Sequence, residues 1–339
     1  MTNMELRKIQ VTGGSTHVIS LPKKWVDRNG LQRSETLAIH EEPDGSLLVV
    51  PYQDARPRHR RIVLDIVDGS TEPALVRRLV GAYLAGADEI HLRSKGRMDP
   101  KIRRIVRTII RDLVGVEILE EGGDSIVLQD LVGVSDMDLR KTVTRMHRIA
   151  RIMFDDALAA LRDKDLGLAD DVISRDDEVD RLQWHVSKQM HALLEQPRLA
   201  ARLQVRPADA LNLLLVSRSI ERMADHAVKI CRNVKRLEDP PEALIDAVAT
   251  QAAVVHAVWD HAFTALKKDD FDQGSAATDE GRGATAWRES FGHTLREYEP
   301  EIVGPFTLIA DSIDRVRGYA IDVAEIAMNQ ALQKMTVVG

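Results

Sequence analysis

The second half of the chain, from residue 135 onwards, is dominated by apolar residues that recur at steps of three and four. The pattern is clearest in one segment, where it runs through Leu213, Ser217, Ile220, Ala224, Ala227, Cys231 and Val234. Steps of this size put the apolar side chains on one face of an α-helix, which is buried against other helices. We therefore predict six helices packed as an up-down bundle, over residues 136–163, 167–195, 206–236, 241–268, 283–297 and 304–334.

This helical half also repeats itself after 93 residues. Residues 219–228 align with residues 312–321, and the two segments share Ser, Ile, Arg and Ala at their first, second, fourth and ninth positions. A repeat of this length holds about three helices. The prediction is an all-α body of two tandem three-helix bundles, over residues 135–237 and 241–336.

The N-terminal segment, residues 1–54, has the pattern of a small β-rich unit. Its strongest turn signal is Pro43-Asp44-Gly45. We predict strands over residues 7–11, 16–21, 35–41 and 47–50, and a short helix over residues 25–29. A unit this small buries too little apolar surface to be stable alone, so we expect an intertwined homodimer.

Residues 60–132 alternate between strand-like and helix-like periods in the order β-α-β-α-β-β. This order is typical of a small α/β layer domain. The predicted strands cover residues 62–67, 89–92, 116–119 and 125–128, and the predicted helices cover residues 73–85 and 100–113. The glycines of this region are isolated, so the sequence indicates neither a phosphate-binding loop nor a nucleophile elbow.

Composition restricts the class of protein further. The single cysteine, Cys231, excludes a disulfide framework and a thiolate zinc site within one chain. No run of about 18 apolar residues occurs and the N-terminus is polar, so we expect a soluble cytoplasmic protein without membrane insertion or a secretion signal. The net charge of −6 excludes a uniformly basic coat for nucleic acid, but residues 1–34 carry six basic and two acidic side chains, a local charge of +4.

Two pairs of acidic residues, Asp176 with Asp180 and Glu221 with Asp225, are each spaced four apart. On a helix this spacing stacks two carboxylates on one face, where they repel each other unless a cation lies between them. Oxygen ligands of this kind suit Mg²⁺, Mn²⁺ or iron. Spacing alone leaves two interpretations open, namely a metal site formed by four carboxylates and a set of solvated acidic faces.

The histidines give little support to an enzyme. A carboxylate-bridged di-iron oxidase would need Glu-x-x-His on facing helices. His185 and His226 follow the acidic residues by five positions and one position, so they are predicted to point away from them and to serve packing or the bundle surface. No Ser-His-Asp or Cys-His arrangement follows from the spacing either, because Cys231 lies on a helix seam. We therefore predict that the protein is not an enzyme.

The Glu-Arg-x-x-Asp-His-Ala phrase at residues 221–227, with the Asp-x-x-x-Asp pair at 176 and 180, resembles the PhoU family of phosphate-uptake regulators. The similarity covers roughly residues 136–336. It implies two repeated three-helix bundles whose acidic motifs can hold a multinuclear metal cluster, and it makes Asp176, Asp180, Glu221 and Asp225 candidate ligands. The expected cofactor is a divalent or trivalent ion (iron, Mn, Mg or Zn). In the second repeat Asp225 is matched by Gly318, and residues 279–283 offer no clean partner for the pair at 176 and 180, so we expect one metal site at most.

The N-terminal segment resembles the SpoVT/AbrB family, through Leu-Arg-Lys-Ile-Gln-Val at residues 6–11, Val-Ile-Ser-Leu-Pro-Lys-Lys-Trp at residues 18–25 and Gly-Ser-Leu-Leu-Val-Val-Pro at residues 45–51. Members of that family are swapped-hairpin β-barrels, made by two chains that exchange strands, and many bind DNA. The resemblance implies a homodimer that contacts the phosphates of duplex DNA, through Arg7, Lys8, Lys23, Lys24 and Arg28. The alternative is that this charge only solubilises a small barrel.

Two functional hypotheses from different classes remain. The first is a phosphate-uptake regulator, in which a metal-binding helical sensor body is fused to a DNA-binding head and acts on transcription and on phosphate transporter or signalling proteins. The second is a metal-binding or storage protein, or a metalloenzyme, whose barrel serves only for dimerisation. Salt-dependent binding to duplex DNA distinguishes them. The long helical body disfavours a third interpretation, an antitoxin-like head.

Overall fold

The computed structural model describes residues 5–41, 45–52, 59–67, 71–133, 137–195, 199, 203, 205–283 and 286–335. The chain divides into two compact units, residues 1–59 and residues 60–339. The predicted α/β region and the predicted helical region therefore share one unit, and the domain limits predicted inside that unit stay predictions.

Within its described residues, the N-terminal unit contains two antiparallel strand pairs and one short helix. Its elements are β1 (Gln10–Thr12), β2 (Thr16–Val18), α1 (Lys23–Arg28), β3 (Leu37–Glu41) and β4 (Leu47–Pro51), with β1 paired to β2 and β3 paired to β4. Gly13 and Gly14 turn the chain between β1 and β2 with φ of +66° and +92°, which glycine adopts without steric cost. Residues 43 and 44 of the predicted turn lie outside the described residues.

No described side chain of this unit is buried within one chain. Large apolar side chains are exposed instead, among them Leu6 at 86% and Ile9 at 69%. Contiguous exposed apolar surface marks a contact with another molecule, and a unit of this size has too little core to stabilise itself. These exposures agree with the expected homodimer, and the swapped-hairpin barrel itself stays a prediction.

The second unit begins with an α/β layer in the expected order of elements. These are β5 (Arg61–Ile66), α2 (Glu72–Leu84), β6 (Glu89–Ser94), α3 (Pro100–Ile109), a 3₁₀ turn (Ile110–Asp112), β7 (Val116–Glu121) and β8 (Ser125–Asp130). The sheet order is β5-β6-β8-β7, in which β5 and β6 are parallel and the other neighbours are antiparallel. Leu79, Leu92, Val106 and Leu128 are fully buried in a core that belongs to this layer.

The described residues from 139 onwards are mainly helical. They form α4 (Leu139–Asp163), α5 (Leu166–Glu195), α6 (Pro207–Val234), α7 (Glu242–Lys268), α8 (Phe271–Gly283), α9 (Trp287–Leu295) and α10 (Pro300–Met335). Helices α4, α5 and α6 pack on one another, as do α7, α8 and α10, and the long contact between α6 and α10 joins the two bundles. No helix in the described part of the chain is both long and apolar enough to cross a membrane.

The prediction for the middle helix of the second bundle was wrong. It is α8, at residues 271–283, whereas the predicted segment 283–297 contains only the short α9. The reason is that α8 packs through small residues rather than a large apolar stripe. A Cβ atom on Gly274 would lie 2.6 Å from Met328 of α10, and one on Gly281 would lie 2.7 Å from Ile321. Such close helix contact leaves no apolar period to detect, and α10 likewise begins at residue 300 rather than 304.

Candidate metal centre and candidate nucleic-acid interface

The four acidic residues predicted as metal ligands lie on two helices that pack against each other. Asp176 and Asp180 are on α5, and Glu221 and Asp225 are on α6. All four are half-buried, whereas the neighbouring Val179 is fully buried. The apolar seam of α5 therefore faces the bundle core and holds the acids at its edge.

The carboxylates of this acidic cluster, defined as Asp176, Asp180, Glu221 and Asp225, interact with one another. Burial, followed by the charges of Asp180 and Asp225, raises the pKa of Asp176 to about 6. Burial, followed by the charges of Glu221 and Asp225, raises the pKa of Asp180 to about 6. The pKa of Glu221 is raised as well, by burial and then by Asp225. The structure thus brings the two pairs within electrostatic reach across the α5–α6 contact.

One oxygen of the acidic cluster lacks a partner. The Oδ1 atom of Asp176 is buried and accepts no hydrogen bond from the described residues, whereas Asp225 has Nζ of Lys229 at 3.9 Å. A buried acceptor without a donor costs on the order of 1–3 kcal/mol, which a bound cation would offset.

The donor set suits a hard cation, because it consists of carboxylate oxygens. Across the described ranges, however, no three His, Cys, Asp or Glu side chains enclose a metal position as they stand. The carboxylates would therefore have to turn toward a cation in order to hold it.

A further carboxylate near the acidic cluster comes from the α/β layer. Asp112 ends the 3₁₀ turn that packs against α5, and its charge contributes to the raised pKa of Asp180. The pKa of Asp112 is itself raised, by burial and then by Asp177, while Arg181 opposes the shift. No local sequence signal connects residue 112 to α5, so only the packing of the layer reveals it.

The two histidines near the acidic residues serve helix packing. Nδ1 of His185 lies 3.2 Å from the hydroxyl oxygen of Tyr83, and the ring centre of His226 lies 5.9 Å from that of Tyr319. Burial lowers the pKa of each histidine to about 4, so both are neutral at pH 7. Cys231 is fully buried as predicted, and burial raises the pKa of its thiol to about 12, which makes it unreactive.

Replacing Asp180 by asparagine should stabilise the metal-free protein near neutral pH. The folded-state pKa of about 6 lies above the ordinary value of about 4. The folded protein therefore binds more protons, and its stability falls as the pH rises from 4 to 6. With solvent screening allowed for, Asp180→Asn should raise the free energy of unfolding by about 1 kcal/mol at pH 7.5 and by much less at pH 4.5.

Urea denaturation in the presence of a chelator, at both pH values, measures this difference. Asp279→Asn is the matched control, because Asp279 is an exposed acid on α8 and the change in net charge is the same. If Asp180→Asn and Asp279→Asn changed the free energy of unfolding by the same amount at each pH, the coupling within the acidic cluster would be contradicted.

The basic residues predicted to contact DNA are exposed. Lys23, Lys24 and Arg28 lie on α1, while Arg7, which pairs with Glu5, and Lys8 precede β1. Positively charged side chains in the first turn of a helix oppose its dipole. Lys23 and Lys24 occupy that turn, so the stability of α1 does not explain them, and they favour an anionic partner outside the chain.

Two family models match the chain. The one described as "PhoU domain" matches residues 143–234, and the one described as "Antidote-toxin recognition MazE, bacterial antitoxin" matches residues 10–57. The chain therefore contains a PhoU domain and, N-terminal to it, a MazE/AbrB-like domain. The PhoU match contains the whole acidic cluster, and the MazE match contains the basic residues of α1.

Relatives of the PhoU part include both curated proteins and solved structures. The phosphate-specific transport system accessory protein PhoU homolog of Clostridium acetobutylicum is 29% identical over 106 residues, which are 30% of this chain and 47% of that protein. The chain thus matches about half the length of that relative. PhoU from Pseudomonas aeruginosa is 20% identical with a TM-score of 0.52, and the match covers 58% of this chain and 96% of that chain.

A second solved structure supports the same fold. The phosphate transport system regulatory protein PhoU from Streptococcus pneumoniae is 15% identical with a TM-score of 0.50, and the match covers 59% of this chain and 96% of that chain. At these identities the likeness is one of fold. It shows that the chain contains nearly the whole of a PhoU fold in addition to its other elements.

Proposed function

We propose that this protein is a non-enzymatic regulator of phosphate uptake that binds duplex DNA as a homodimer through its N-terminal unit. The observation that carries the proposal is the joining, in one chain, of a PhoU domain and a MazE/AbrB-like domain with exposed basic side chains. The name of the curated relative, an accessory protein of a phosphate-specific transport system, supports phosphate uptake as the process. Phosphate transporter or signalling proteins are the protein partners that we propose.

DNA binding is supported by both charge and exposed apolar surface in the N-terminal unit. Lys23, Lys24 and Arg28 supply cations for backbone phosphates. A second copy of the chain would cover apolar side chains such as Leu6 and Ile9 and would double the number of cations. Two identical sets of cations suit the two halves of a symmetric DNA site.

The test is the equilibrium binding of the full chain to a labelled DNA duplex between 50 and 300 mM salt. Because binding to phosphates releases counterions, the log of the affinity should fall against the log of the salt concentration with a slope of about −4 or steeper. Absence of binding at the lowest salt would contradict a role in DNA binding and would leave dimerisation as the role of the N-terminal unit.

The acidic cluster is the metal site that we propose for the helical body. Asp176 and Asp180 would supply ligands from α5, and Glu221 and Asp225 would supply ligands from α6. Iron, Mn, Mg or Zn bound there supplies the positive charge that neutralises the cluster. The two acidic pairs belong to different helices, so the strength of the α5–α6 contact would depend on the cation. A helical body that acts as a sensor requires packing of this kind, which changes when a cation binds.

Replacing the cluster by amides should abolish metal retention. The substitutions are Asp176→Asn, Asp180→Asn, Glu221→Gln and Asp225→Asn. An amide keeps the shape of the side chain but removes the negative charge that a hard cation requires. Elemental analysis after gel filtration of Mn²⁺-loaded protein should find metal in the wild type and none in the variant.

The control for this experiment is a pair of acids on α8, changed as Asp279→Asn and Glu280→Gln, which should leave the metal content unchanged. A wild-type protein that purifies without metal under every loading condition, or a variant that retains it, would contradict the proposed site.

A further inference from the structure

The second bundle has lost part of the acidic motif and gained a basic residue beside it. The 93-residue repeat aligns Gly318 with Asp225, so that carboxylate is missing, and residues 279–283 of α8 offer no clean partner for the Asp176 and Asp180 pair. It also aligns Arg317 with Ala224, so a guanidinium stands directly before the missing acid. One carboxylate is thus exchanged for one cation within two neighbouring positions.

The guanidinium of Arg317 is buried, and each of its three nitrogen atoms donates a hydrogen bond. The side chain is 9% exposed. Its Nε and Nη2 atoms donate to Oδ1 of Asp314 at 3.0 and 2.7 Å, and Nη1 donates to the backbone carbonyl of Gly281 at 2.6 Å. Gly281 is on α8 and Asp314 is on α10, so Arg317 links the second and third helices of its bundle. The acidic cluster spans the corresponding pair, α5 and α6.

The charge of Arg317 is permanent and already paired. Arginine stays protonated at any pH that a protein survives, and its hydrogen bonds to a carboxylate are charge-assisted and strong. Asp314, which the repeat aligns with Glu221, therefore has its Oδ1 atom occupied. A metal ion that approached this carboxylate would meet a fixed positive charge where it needs a free oxygen.

We infer that Arg317 is a permanent cation of the second bundle. Its guanidinium occupies the place that a metal ion would take in the first bundle, and it prevents a metal ion from binding to the second bundle. The comparison rests on the metal site of the proposed function, while the contacts of Arg317 do not depend on it. The helical body would then combine a bundle whose packing depends on a cation with a bundle whose packing does not.

The test asks whether the second bundle binds a metal ion once Arg317 is removed and the missing acid is restored. Arg317→Ala removes the guanidinium, and Gly318→Asp restores the acid. A Cβ atom on Gly318 meets no atom within 4 Å, so the new side chain has room. Both changes are made in a chain that carries the four amide substitutions of the acidic cluster, so that only the second bundle can respond. Mn²⁺ binding is measured from the electron paramagnetic resonance of the free ion.

We call the variant with Arg317→Ala, Gly318→Asp and the four amide substitutions the opened chain. It should bind about one Mn²⁺ at millimolar concentration, and the chain with the four amide substitutions alone should bind none. Gly318→Asp with Arg317 kept is the matched control and should also bind none. Equal binding with and without Arg317, or no binding by the opened chain, would overturn the inference. Absence of metal from the wild-type acidic cluster would overturn the proposed metal site alone, so the two failures are distinguishable.

Hydrogen exchange provides a second measurement that does not depend on the opened chain folding. In the wild type, a chelator should leave amide exchange in α8 and α10 unchanged. Arg317→Gln should speed exchange in these helices about tenfold or more, because it removes the charged donor of Asp314 Oδ1 and leaves only Arg288, whose Nη1 lies 4.0 Å from Oδ2. Faster exchange in α8 and α10 on chelation, or no change with Arg317→Gln, would contradict the inference.

Discussion

Replacing Lys23 and Lys24 by glutamate should lower the affinity of the full chain for duplex DNA by about 10²- to 10³-fold at 100 mM salt. Both lysines are exposed on α1, where their charge does not serve the helix itself. In a dimer the change removes four cations and adds four anions. The slope of log affinity against log salt should become shallower by about 3 to 4, and fluorescence anisotropy measures both quantities.

The matched control is the pair Lys267→Glu and Lys268→Glu. These adjacent lysines are exposed at the C-terminal end of α7, so the change in net charge is the same but lies in the helical body. The control should alter DNA affinity only slightly. An equal loss in the control would show that net charge, rather than α1, governs binding, and unchanged affinity after Lys23 and Lys24 are reversed would remove α1 from the interface.

Replacing Lys188 by methionine should lower the free energy of unfolding of the second unit by about 3–5 kcal/mol. Lys188 is 1% exposed and forms an ion pair with Asp130, whose side chain is 8% exposed. Its Nζ atom also lies 4.6 Å from the ring centre of Tyr83, a cation–π contact. Methionine fills a similar volume but leaves the carboxylate of Asp130 buried without its cation, which is the costly arrangement. Urea denaturation measures the loss.

Replacing both partners tests the reason for that loss. Lys188→Met combined with Asp130→Leu removes both charges and should recover most of the stability, because apolar groups need no partner. Lys235→Met is the control, since Lys235 and its partner Asp170 are both exposed and such pairs contribute less than about 1 kcal/mol. A loss below about 1 kcal/mol for Lys188→Met, or no recovery in the double variant, would contradict a buried pair.

The buried pair also joins the α/β layer to the helix that carries part of the acidic cluster. Asp130 ends β8 in the α/β layer, and Lys188 is on α5, the helix that carries Asp176 and Asp180. Residues 180 and 188 are about 12 Å apart along a helix. The layer is therefore joined to α5 by the Lys188–Asp130 ion pair, and it also approaches the acidic cluster through Asp112.

Helix positions could be predicted wherever the buried side chains are large. Helices α4, α5, α6 and α7 begin and end within three residues of their predicted limits. The prediction failed at α8 because its contact with α10 depends on Gly274 and Gly281. Small residues give no apolar period, although they permit the closest packing of two helices.

The acidic cluster was predictable in part. A spacing of four puts Asp176 and Asp180 on one helix face whatever the tertiary structure is. The pKa of Asp180, by contrast, is raised by burial in the folded protein and then by charges that include Glu221 of the facing helix and Asp112 of the α/β layer. These residues are distant in the chain, and no local pattern connects them to α5.

The sequence by itself determined the helical character of the body, the order of strands and helices in the α/β layer, and the basic character of α1, because these follow from periods and charges within a few residues. The tertiary structure alone decided that α5 and α6 bring their acidic faces together, that Lys188 is buried against Asp130, and that Arg317 reaches Gly281. The physical reason is how far apart along the chain the residues that determine each feature lie. Which side of a helix is apolar depends on neighbouring residues, whereas which charges meet depends on how the whole core packs.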